Sequence, residues 1–207
     1  EKQPLTIEEF NHLIAVLTEQ NEWQKIAYLK FTLETGCRRA ESAQLLKSVA
    51  NAEPVIKIQE VQLENGTTEQ REIKFYTTHP IRCKGRGTVG KVRKFRFGQD
   101  TMNAIKKWLE VRGEDECPYM FVVKHKNVVE QVGENTFNSW FNSTFTPIVG
   151  RRCHPHLLRE SRATQMVVEQ GMDIKIAQKL LGHESSETTE IYVIRDDNDD
   201  LDDLYTI

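Results

Sequence analysis

The chain has 207 residues, of which 38% are hydrophobic and 29% are charged, and its formal net charge is −3. A chain of this length fits one domain of ordinary size. No uncharged apolar run approaches the roughly 18 residues that suggest a membrane span, so the composition excludes a membrane protein.

The first part of the chain is predicted to be helical. Thr6 and Glu9 form a capping-box pattern, and apolar residues recur at helical spacing behind them. A second apolar periodicity stops at Gly36, a residue suited to a helix C-cap. The helices predicted here are 7–20, 22–35 and one that begins near Arg38.

A small sheet is predicted next. Apolar and polar residues alternate over 55–78 around Asn65-Gly66, a turn sequence typical of β-hairpins. The basic stretch 82–97 is expected to continue this sheet. A glycine-rich turn would join a strand ending near Cys83 to one over 92–97.

The basic stretch concentrates positive charge. Between residues 82 and 96 there are seven cations and three glycines but no acid, a composition that suits contact with a phosphate backbone. A solvated hairpin is the alternative. The cations are Arg82, Lys84, Arg86, Lys91, Arg93, Lys94 and Arg96.

The second half returns to helical periodicity, with helices predicted at about 100–112, 134–146, 156–170, 173–181 and 187–194. The predicted fold class is therefore α+β and mainly α, with a small antiparallel sheet and a β-hairpin. Residues 1–195 are expected to form one domain.

Residues 196–207 form an acidic C-terminal tail. Six aspartates and one arginine lie between residues 195 and 203, so this segment carries −5 and the other residues +2. Leu201, Leu204, Tyr205 and Ile207 interleave with the acids. The tail is expected to dock as a short strand or helix on another subunit.

The cysteines and the first residues bear on the protein's context. Cys37, Cys83, Cys117 and Cys153 contain no Cys-x-x-Cys pair, so reduced thiols without a chemical role are expected, in keeping with a reducing cytosol. The chain starts Glu1-Lys2-Gln3-Pro4, without an initiator methionine. A preceding N-terminal domain is therefore expected.

Two motifs near the end of the chain carry chemistry. His156 and Arg159 lie three residues apart, which places them on one face of a helix whose first turn offers free amides to an anion. Leu181-Gly182-His183 follows, and Tyr192 comes nine residues after His183. Far upstream, Gly36, Arg38 and Glu41 form a third pattern.

These motifs resemble the tyrosine recombinase (lambda-integrase-like) family. Its earlier box is Gly-x-Arg-x-x-Glu, and its later box is His-x-x-Arg, then Leu-Gly-His, then a nucleophilic tyrosine nine residues on. The match is close over 35–47 and 154–193, and looser over the sheet between them. The resemblance implies a helical catalytic domain, with the family's N-terminal core-binding domain absent from this chain.

The resemblance also implies residue roles. Tyr192 would attack a DNA phosphate to give a 3′-phosphotyrosyl bond and a free 5′-hydroxyl. Arg38 and Arg159 are always charged and forked, as stabilisation of the transition-state phosphate requires. His156 and His183 would donate hydrogen bonds or move protons, and His156 is the better candidate for the proton role.

The leaving 5′ oxygen needs a proton, and the resemblance places the donor lysine in the sheet hairpin. Lys84 is the preferred candidate and Lys91 its competitor. Glu41 is expected to orient a neighbouring arginine, or else to be an exposed helix residue. Glu160 and Arg162 stand where relatives often have a histidine and an aromatic residue. DNA contacts are expected from Arg82, Arg86, Lys91, Arg93 and Lys94.

The predicted function is site-specific recombination, in which an integrase cleaves and rejoins double-stranded DNA. No metal or nucleotide cofactor is expected, since the protein–DNA ester conserves the bond energy. By resemblance, four protomers would assemble on DNA in the cytoplasm of a bacterium. The enlarged hairpin at 59–80 favours an integrase of a phage or other mobile element.

Two functions of other classes are also compatible with the sequence. A DNA-binding regulator could keep the fold without cleaving DNA, and a type IB-like topoisomerase could use a tyrosine to relax DNA. Tyr205 is a rival nucleophile, although its surroundings are acidic. Phe137, Trp108 and Trp140 are interpreted as core residues.

Overall fold

The computed structural model describes residues 3–84, 91–164 and Tyr205, and within these no helix is long and apolar enough to cross a membrane. The helices are α1 (Ile7–Glu19), α2 (Trp23–Thr35), α3 (Arg39–Ser42), α4 (Gln99–Arg112), α5 (Glu134–Trp140), α6 (Thr146–Val149) and α7 (Pro155–Thr164). A 3-10 turn spans Lys47–Asn51 and a π-helical turn spans Phe141–Phe145. The α+β, mainly helical fold class is confirmed.

The ends of α1 and α2 follow from their capping residues. The Thr6 hydroxyl accepts a hydrogen bond from the Glu9 amide at 3.0 Å, and the Glu9 carboxylate accepts one from the Thr6 amide at 3.1 Å. Gly36 ends α2 with a positive φ of 69° and donates its N–H to the Thr32 carbonyl. Both predicted boundaries are confirmed to within one or two residues.

The helix predicted over 134–146 is interrupted. α5 passes into the π-helical turn at Phe141, and α6 continues the rod to Val149. The wider turn keeps Phe141 and Phe145 buried and leaves Asn142 exposed beside them. π-helical turns are frequent at functional sites. The predicted helices 173–181 and 187–194, and residues 165–170, lie outside the described residues.

The strands form three antiparallel groups. They are β1 (Val55–Gln62), β2 (Thr68–Thr77), β3 (Ile81–Cys83), β4 (Lys91–Arg93), β5 (Arg96–Phe97), β6 (Val122–His125) and β7 (Val128–Gln131). The sheets have the orders β1-β2-β5, β3-β4 and β6-β7. The predicted hairpin around Asn65-Gly66 is confirmed as β1–β2.

The basic stretch was expected to continue the first sheet, but most of it does not. Only β5 joins it, whereas β3 and β4 pair with each other. The strand predicted over 92–97 is split at Lys94-Phe95. Phe95, which is 1% exposed, pairs there with Thr78, whose amide donates to its carbonyl and whose hydroxyl accepts from its amide.

The β6–β7 hairpin was not predicted. Its turn residues, Lys126 and Asn127, both have positive φ, of 45° and 70°. Two consecutive left-handed residues favour the tight turns that suit the twist of a hairpin. Asn127 is a weaker sequence signal than the Asn-Gly pair of the first hairpin.

The core is built around α2. Tyr28 stacks on Phe137 with ring centroids 4.3 Å apart, and the edges of Phe121 and Trp140 meet the same ring system. Phe137 is fully buried, and Trp140 and Trp108 pack against the core. The interpretation of these three aromatic residues as core residues is confirmed.

The N-terminal segment fixes the start of α7. Arg151 makes two hydrogen bonds to the Glu9 carboxylate, at 2.8 and 2.9 Å. The Leu5 amide donates to the Ser161 hydroxyl, which in turn donates to the Leu157 carbonyl. Two bonds therefore tie α1 and the residues before it to α7 and its preceding loop, although the two segments are far apart in sequence.

Tyr205 packs on its own chain. Its ring lies 5.6 Å from that of Phe75, its hydroxyl donates to the Arg96 carbonyl at 3.0 Å, and it is 6% exposed. A buried phenol bonded to β5 in this way is not exposed to a DNA phosphate. The sequence had suggested docking of the tail on another subunit, and the rest of the tail lies outside the described residues.

The Glu9–Arg151 pair predicts an acid-sensitive fold. Arg151 holds the pKa of Glu9 at about 2, below its ordinary value of 4.5, so the pair stabilises the fold above that value and loses its effect as the pH falls towards 2. Glu9→Gln keeps the capping acceptor but removes the charge. We expect it to cost about 1–2 kcal/mol at pH 7, measured by urea denaturation, with a smaller difference at pH 3. Glu8→Gln, in the same turn, is the control; an equal loss in both variants would contradict the prediction.

Tyr205→Phe should destabilise the protein by about 0.5–1.5 kcal/mol, the usual net value of one hydrogen bond. The reason is the lost bond to the Arg96 carbonyl. The measurement is chemical denaturation at neutral pH. Tyr119→Phe is the control, because within the described part of the chain the Tyr119 hydroxyl has no hydrogen bond. A Tyr205→Phe variant as stable as the control would show that the hydrogen bond to Arg96 contributes nothing to stability.

Candidate active site

A cavity of about 660 Å³ opens where α3, β3, α5 and the start of α7 meet. Its lining is rich in positive charge and holds two carboxylates, those of Glu41 and Glu134. The basic side chains of the lining are Arg38, Arg39, Arg82, Lys84, Arg152, His154, His156 and Arg159. Such a concentration of cations favours an anionic ligand.

Arg159 forms the floor of the cavity. It is 3% exposed, and its guanidinium donates to the carbonyl of Gly36, the residue that ends α2. Burial, together with the nearby charge of Arg38, lowers the pKa of Arg159 to about 10. The side chain is still charged at neutral pH, so it brings a buried positive charge into the cavity.

Arg38 stands beside Arg159 at the start of α3. The buried Glu41 carboxylate accepts the Arg38 backbone N–H at 2.9 Å and lies 3.7 Å from the Arg38 guanidinium. Glu41 is 2% exposed, so it is not the exposed helix glutamate of the alternative interpretation. It ties both the backbone and the side chain of Arg38, while 40% of that side chain remains exposed towards the cavity.

β3 and the residue that follows it present two cations to the cavity. Along this strand Ile81 and Cys83 are buried while Arg82 and Lys84 are exposed, as expected from the alternation of side chains in a strand. The Gln44 side chain accepts from the Arg82 amide at 3.0 Å and donates to its carbonyl at 2.8 Å. This clamp fixes β3 against the end of α3.

Lys91 and Arg93 lie on the other face. They pair across the ladder with Cys83 and Ile81, so they share the buried face of β3–β4, and they are 6% and 5% exposed. Arg93 stacks on the ring of Phe95 at 4.8 Å. This burial differs from the exposed, backbone-following stretch that the charge count suggested, because the count ignores which face each residue occupies. Lys94 is half-buried.

The start of α7 carries two histidines. His154 caps the helix, since its Nδ1 accepts the Leu157 amide at 3.2 Å. Its ring lies nearly parallel to that of His156, with centroids 6.5 Å apart. His156 Nε2 lies 3.2 Å from the Glu160 carboxylate, one turn further along. Both imidazoles line the cavity.

Several cavity residues escaped the sequence analysis. Arg39 donates to the Asn138 side chain at 2.9 Å, and Asn142, Arg152 and His154 complete this side of the cavity. In the sequence, Arg39 follows the motif residue Arg38, and Arg152 follows Arg151. Such neighbours are only a weak indication of a residue at the site. The asparagines have no sequence signal, because only the tertiary fold brings α5 to the site.

Arg86, His183 and Tyr192 lie outside the described residues. Among the predicted site residues that the structure describes, Arg38, Lys84, His156 and Arg159 line one cavity. Glu41 lines it as well, against Arg38. All four cysteines are buried, and burial raises the pKa of Cys83 to about 12, so its thiol stays protonated.

The chemistry of this arrangement is that of an anion site. Two guanidinium groups can hold nonbridging oxygens of a phosphate in forked geometry. A lysine and an imidazole at the same cavity can supply or accept protons. The site therefore favours stabilisation of charge that develops on a phosphoryl group.

Comparisons with known proteins show which family the chain is similar to. The Phage integrase family model matches residues 3–199. The tyrosine recombinase XerA of Pyrococcus furiosus is 32% identical over 189 residues, which cover 91% of this chain and 56% of the relative. The SPbeta prophage-derived recombinase-like protein YomM of Bacillus subtilis is 24% identical over 207 residues, covering 99% and 57%. The chain thus spans a little over half the length of these relatives.

Solved structures share the fold. The crystal structure of XerA recombinase superposes with a TM-score of 0.62 at 22% identity, covering 98% of this chain and 64% of that one. The XerH site-specific recombinase bound to a palindromic difH substrate gives a TM-score of 0.60 at 21% identity, covering 89% and 47%. The family resemblance drawn from the sequence motifs is confirmed: the chain belongs to the phage integrase family of tyrosine recombinases.

Proposed function

We propose that this chain is the catalytic domain of a site-specific DNA recombinase, which cleaves and rejoins double-stranded DNA through a 3′-phosphotyrosyl bond to Tyr192. The supporting observation is the convergence of Arg38, Arg159, His156 and Lys84 on one cavity. These residues come from three separate segments of the chain, and their chemistry suits one phosphodiester.

The two arginines stabilise the phosphate. Arg159 is fixed by the Gly36 carbonyl and Arg38 by Glu41, so both guanidiniums are held in place before DNA arrives. Fixed charges lose little energy to reorganisation as negative charge builds up in the transition state. Loss of such a group commonly costs ~100-fold or more in rate.

Lys84 is the proposed donor of the proton to the leaving 5′ oxygen. It is exposed and lines the cavity, whereas Lys91 lies on the buried face of the β3–β4 ladder opposite Cys83. A donor must reach the leaving oxygen within hydrogen-bond distance. The face of the strand therefore favours Lys84 over its competitor.

DNA binding is proposed to extend from the cavity along exposed cations. Arg39, Arg82 and Arg152 surround the two central arginines, and each can neutralise a neighbouring phosphate. Lys91 and Arg93 lie on the buried face of β3–β4, so they add positive charge near the cavity without lining it. We also propose that four protomers assemble on two DNA sites, in the cytoplasm where bacterial DNA lies. In the same proposal, a DNA-binding domain precedes this catalytic domain.

Tyr192→Phe should abolish covalent capture of DNA while leaving binding unchanged, because only the attacking oxygen is removed. The measurement uses the full protein and a DNA duplex nicked near the cleavage point, which traps the adduct. Tyr205→Phe is the matched control and should keep the adduct. An adduct in Tyr192→Phe would overturn the assignment, and a wild-type protein that binds without any adduct would favour a silent DNA-binding regulator.

Product analysis separates the remaining alternative. Joining of two DNA sites with exchanged partners is expected of a recombinase. Relaxation of a supercoiled plasmid without exchange would favour a topoisomerase.

Lys84→Ala should slow cleavage by roughly 100- to 10,000-fold, the usual contribution of a general acid. Cleavage should recover on DNA with sulfur at the bridging 5′ position, because thiols, with pKa values near ~8.5, leave without a proton. Lys91→Met is the comparison, with folding checked by circular dichroism. Loss and sulfur rescue in Lys91→Met instead would assign the proton to Lys91.

A further inference from the structure

The contact between His156 and Glu160 has no role in the chemistry described so far. His156 is the second residue of α7 and Glu160 lies one turn later on the same face, with Nε2 and Oε1 3.2 Å apart. The side chains are 60% and 30% exposed. An imidazole nitrogen at this distance from a carboxylate is attracted if it carries hydrogen and repelled if it presents a lone pair.

The surroundings of His156 make this contact matter. The other charged or titratable side chains that line its cavity are Arg38, Arg39 and Glu41 at α3, Arg82 and Lys84 at β3, Glu134 of α5, Arg152 and His154 before α7, and Arg159 of α7. Most of these groups are cationic, and the amino end of a helix also disfavours positive charge. Glu160 is the carboxylate of the described residues that touches the ring.

We propose that Glu160 is a positioning residue that holds the proton of His156 on Nε2, and so assigns Nδ1 as the nitrogen that takes the proton of the attacking Tyr192 hydroxyl. The two imidazole nitrogens are not equivalent, and the bond made by one decides the state of the other. Carboxylates serve metal-binding histidines in this way. In this assignment the partner of Nδ1 is the phenol of Tyr192, whose O–H can donate to it.

The proton balance follows from this assignment, which rests on the proposed function. As the Tyr192 oxygen attacks phosphorus, its proton passes to Nδ1 of His156. The bond from phosphorus to the 5′ oxygen breaks, and that oxygen takes a proton from Lys84. Rejoining reverses each transfer, so the site ends in its initial state.

His154 offers an internal comparison. Its Nδ1 accepts a backbone amide, so the cap itself fixes its tautomer. His156 has no backbone partner among the described residues and depends on a side chain one turn away. Replacing Glu160 should therefore change the position of the proton on the His156 ring and leave the His154 ring unchanged.

The test combines nitrogen NMR with single-turnover cleavage. In the free wild-type protein, His156 should show a protonated Nε2 and an unprotonated Nδ1. In Glu160→Leu the two tautomers should mix, while His154 stays unchanged. With the nicked duplex, adduct formation at saturating protein should fall about 10- to 100-fold, the range seen for carboxylates that support histidine ligands, with DNA binding unaltered.

Two further variants sharpen the result. Glu160→Gln keeps an oxygen acceptor without the charge, and it should restore the tautomer and much of the rate. Glu110→Leu removes a surface carboxylate on α4 that pairs with Lys107 at 3.9 Å, away from the cavity, and should change neither.

Several outcomes would overturn the proposal. These are a wild-type His156 that carries its proton on Nδ1, an unchanged tautomer in Glu160→Leu, or an unchanged or faster rate of adduct formation in that variant. A faster rate would mean that Glu160 restrains the ring. If no adduct forms in any variant, the proposed function fails, whereas the NMR result still decides the tautomer.

Discussion

The site depends on one buried interaction, the bond from the Arg159 guanidinium to the carbonyl of Gly36. Gly36 is available because its left-handed conformation ends α2 and turns the chain towards Arg38. The same turn therefore places one arginine and anchors the other. A residue with a side chain would be strained at this φ of 69°.

This arrangement stores electrostatic repulsion. The two guanidiniums lie close enough for Arg38 to lower the pKa of Arg159, and Glu41 offsets only part of that repulsion. Packing alone gives no reason to bring two like charges together in a half-enclosed cavity. A bound anion would relieve the repulsion, so the unliganded site is less stable than its occupied form, as is common where local rules are broken for function.

The sequence predicted those features that depend on neighbours along the chain. The caps at Thr6 and Gly36 marked helix ends, and Asn65-Gly66 marked a hairpin. It could not predict that Lys91 and Arg93 are buried, because their face depends on the register with β3. Nor could it predict Asn138 or Asn142 at the cavity, since α5 reaches the site through tertiary contacts, its packing on α2 and the Arg39–Asn138 bond.

The motif residues were recognisable for a different reason. His156 and Arg159 share a helix face, and Gly36, Arg38 and Glu41 share a turn, so their spacing is already a local geometry. What joins the two groups is long-range, the bond from Arg159 to the Gly36 carbonyl. The Leu5–Ser161 bond and the Glu9–Arg151 pair hold α7 and its preceding loop against the N-terminal segment. The spacing of residues along the chain thus indicated the chemistry, whereas the assembly of the two motifs into one site depends on the tertiary fold.

The net charge illustrates how misleading a whole-chain average is for such a site. The chain carries −3, yet the cavity holds six arginine or lysine side chains against two carboxylates, one of them buried beneath Arg38. Salt screens charges beyond ~8 Å at physiological ionic strength. A phosphate at the cavity therefore responds to the arginines and lysine around it, and distant acids on the surface contribute little. The field that an approaching DNA strand meets is set by which side chains face one opening, and the alternation of β3, the turn at Gly36 and the first turn of α7 all direct cations to that opening.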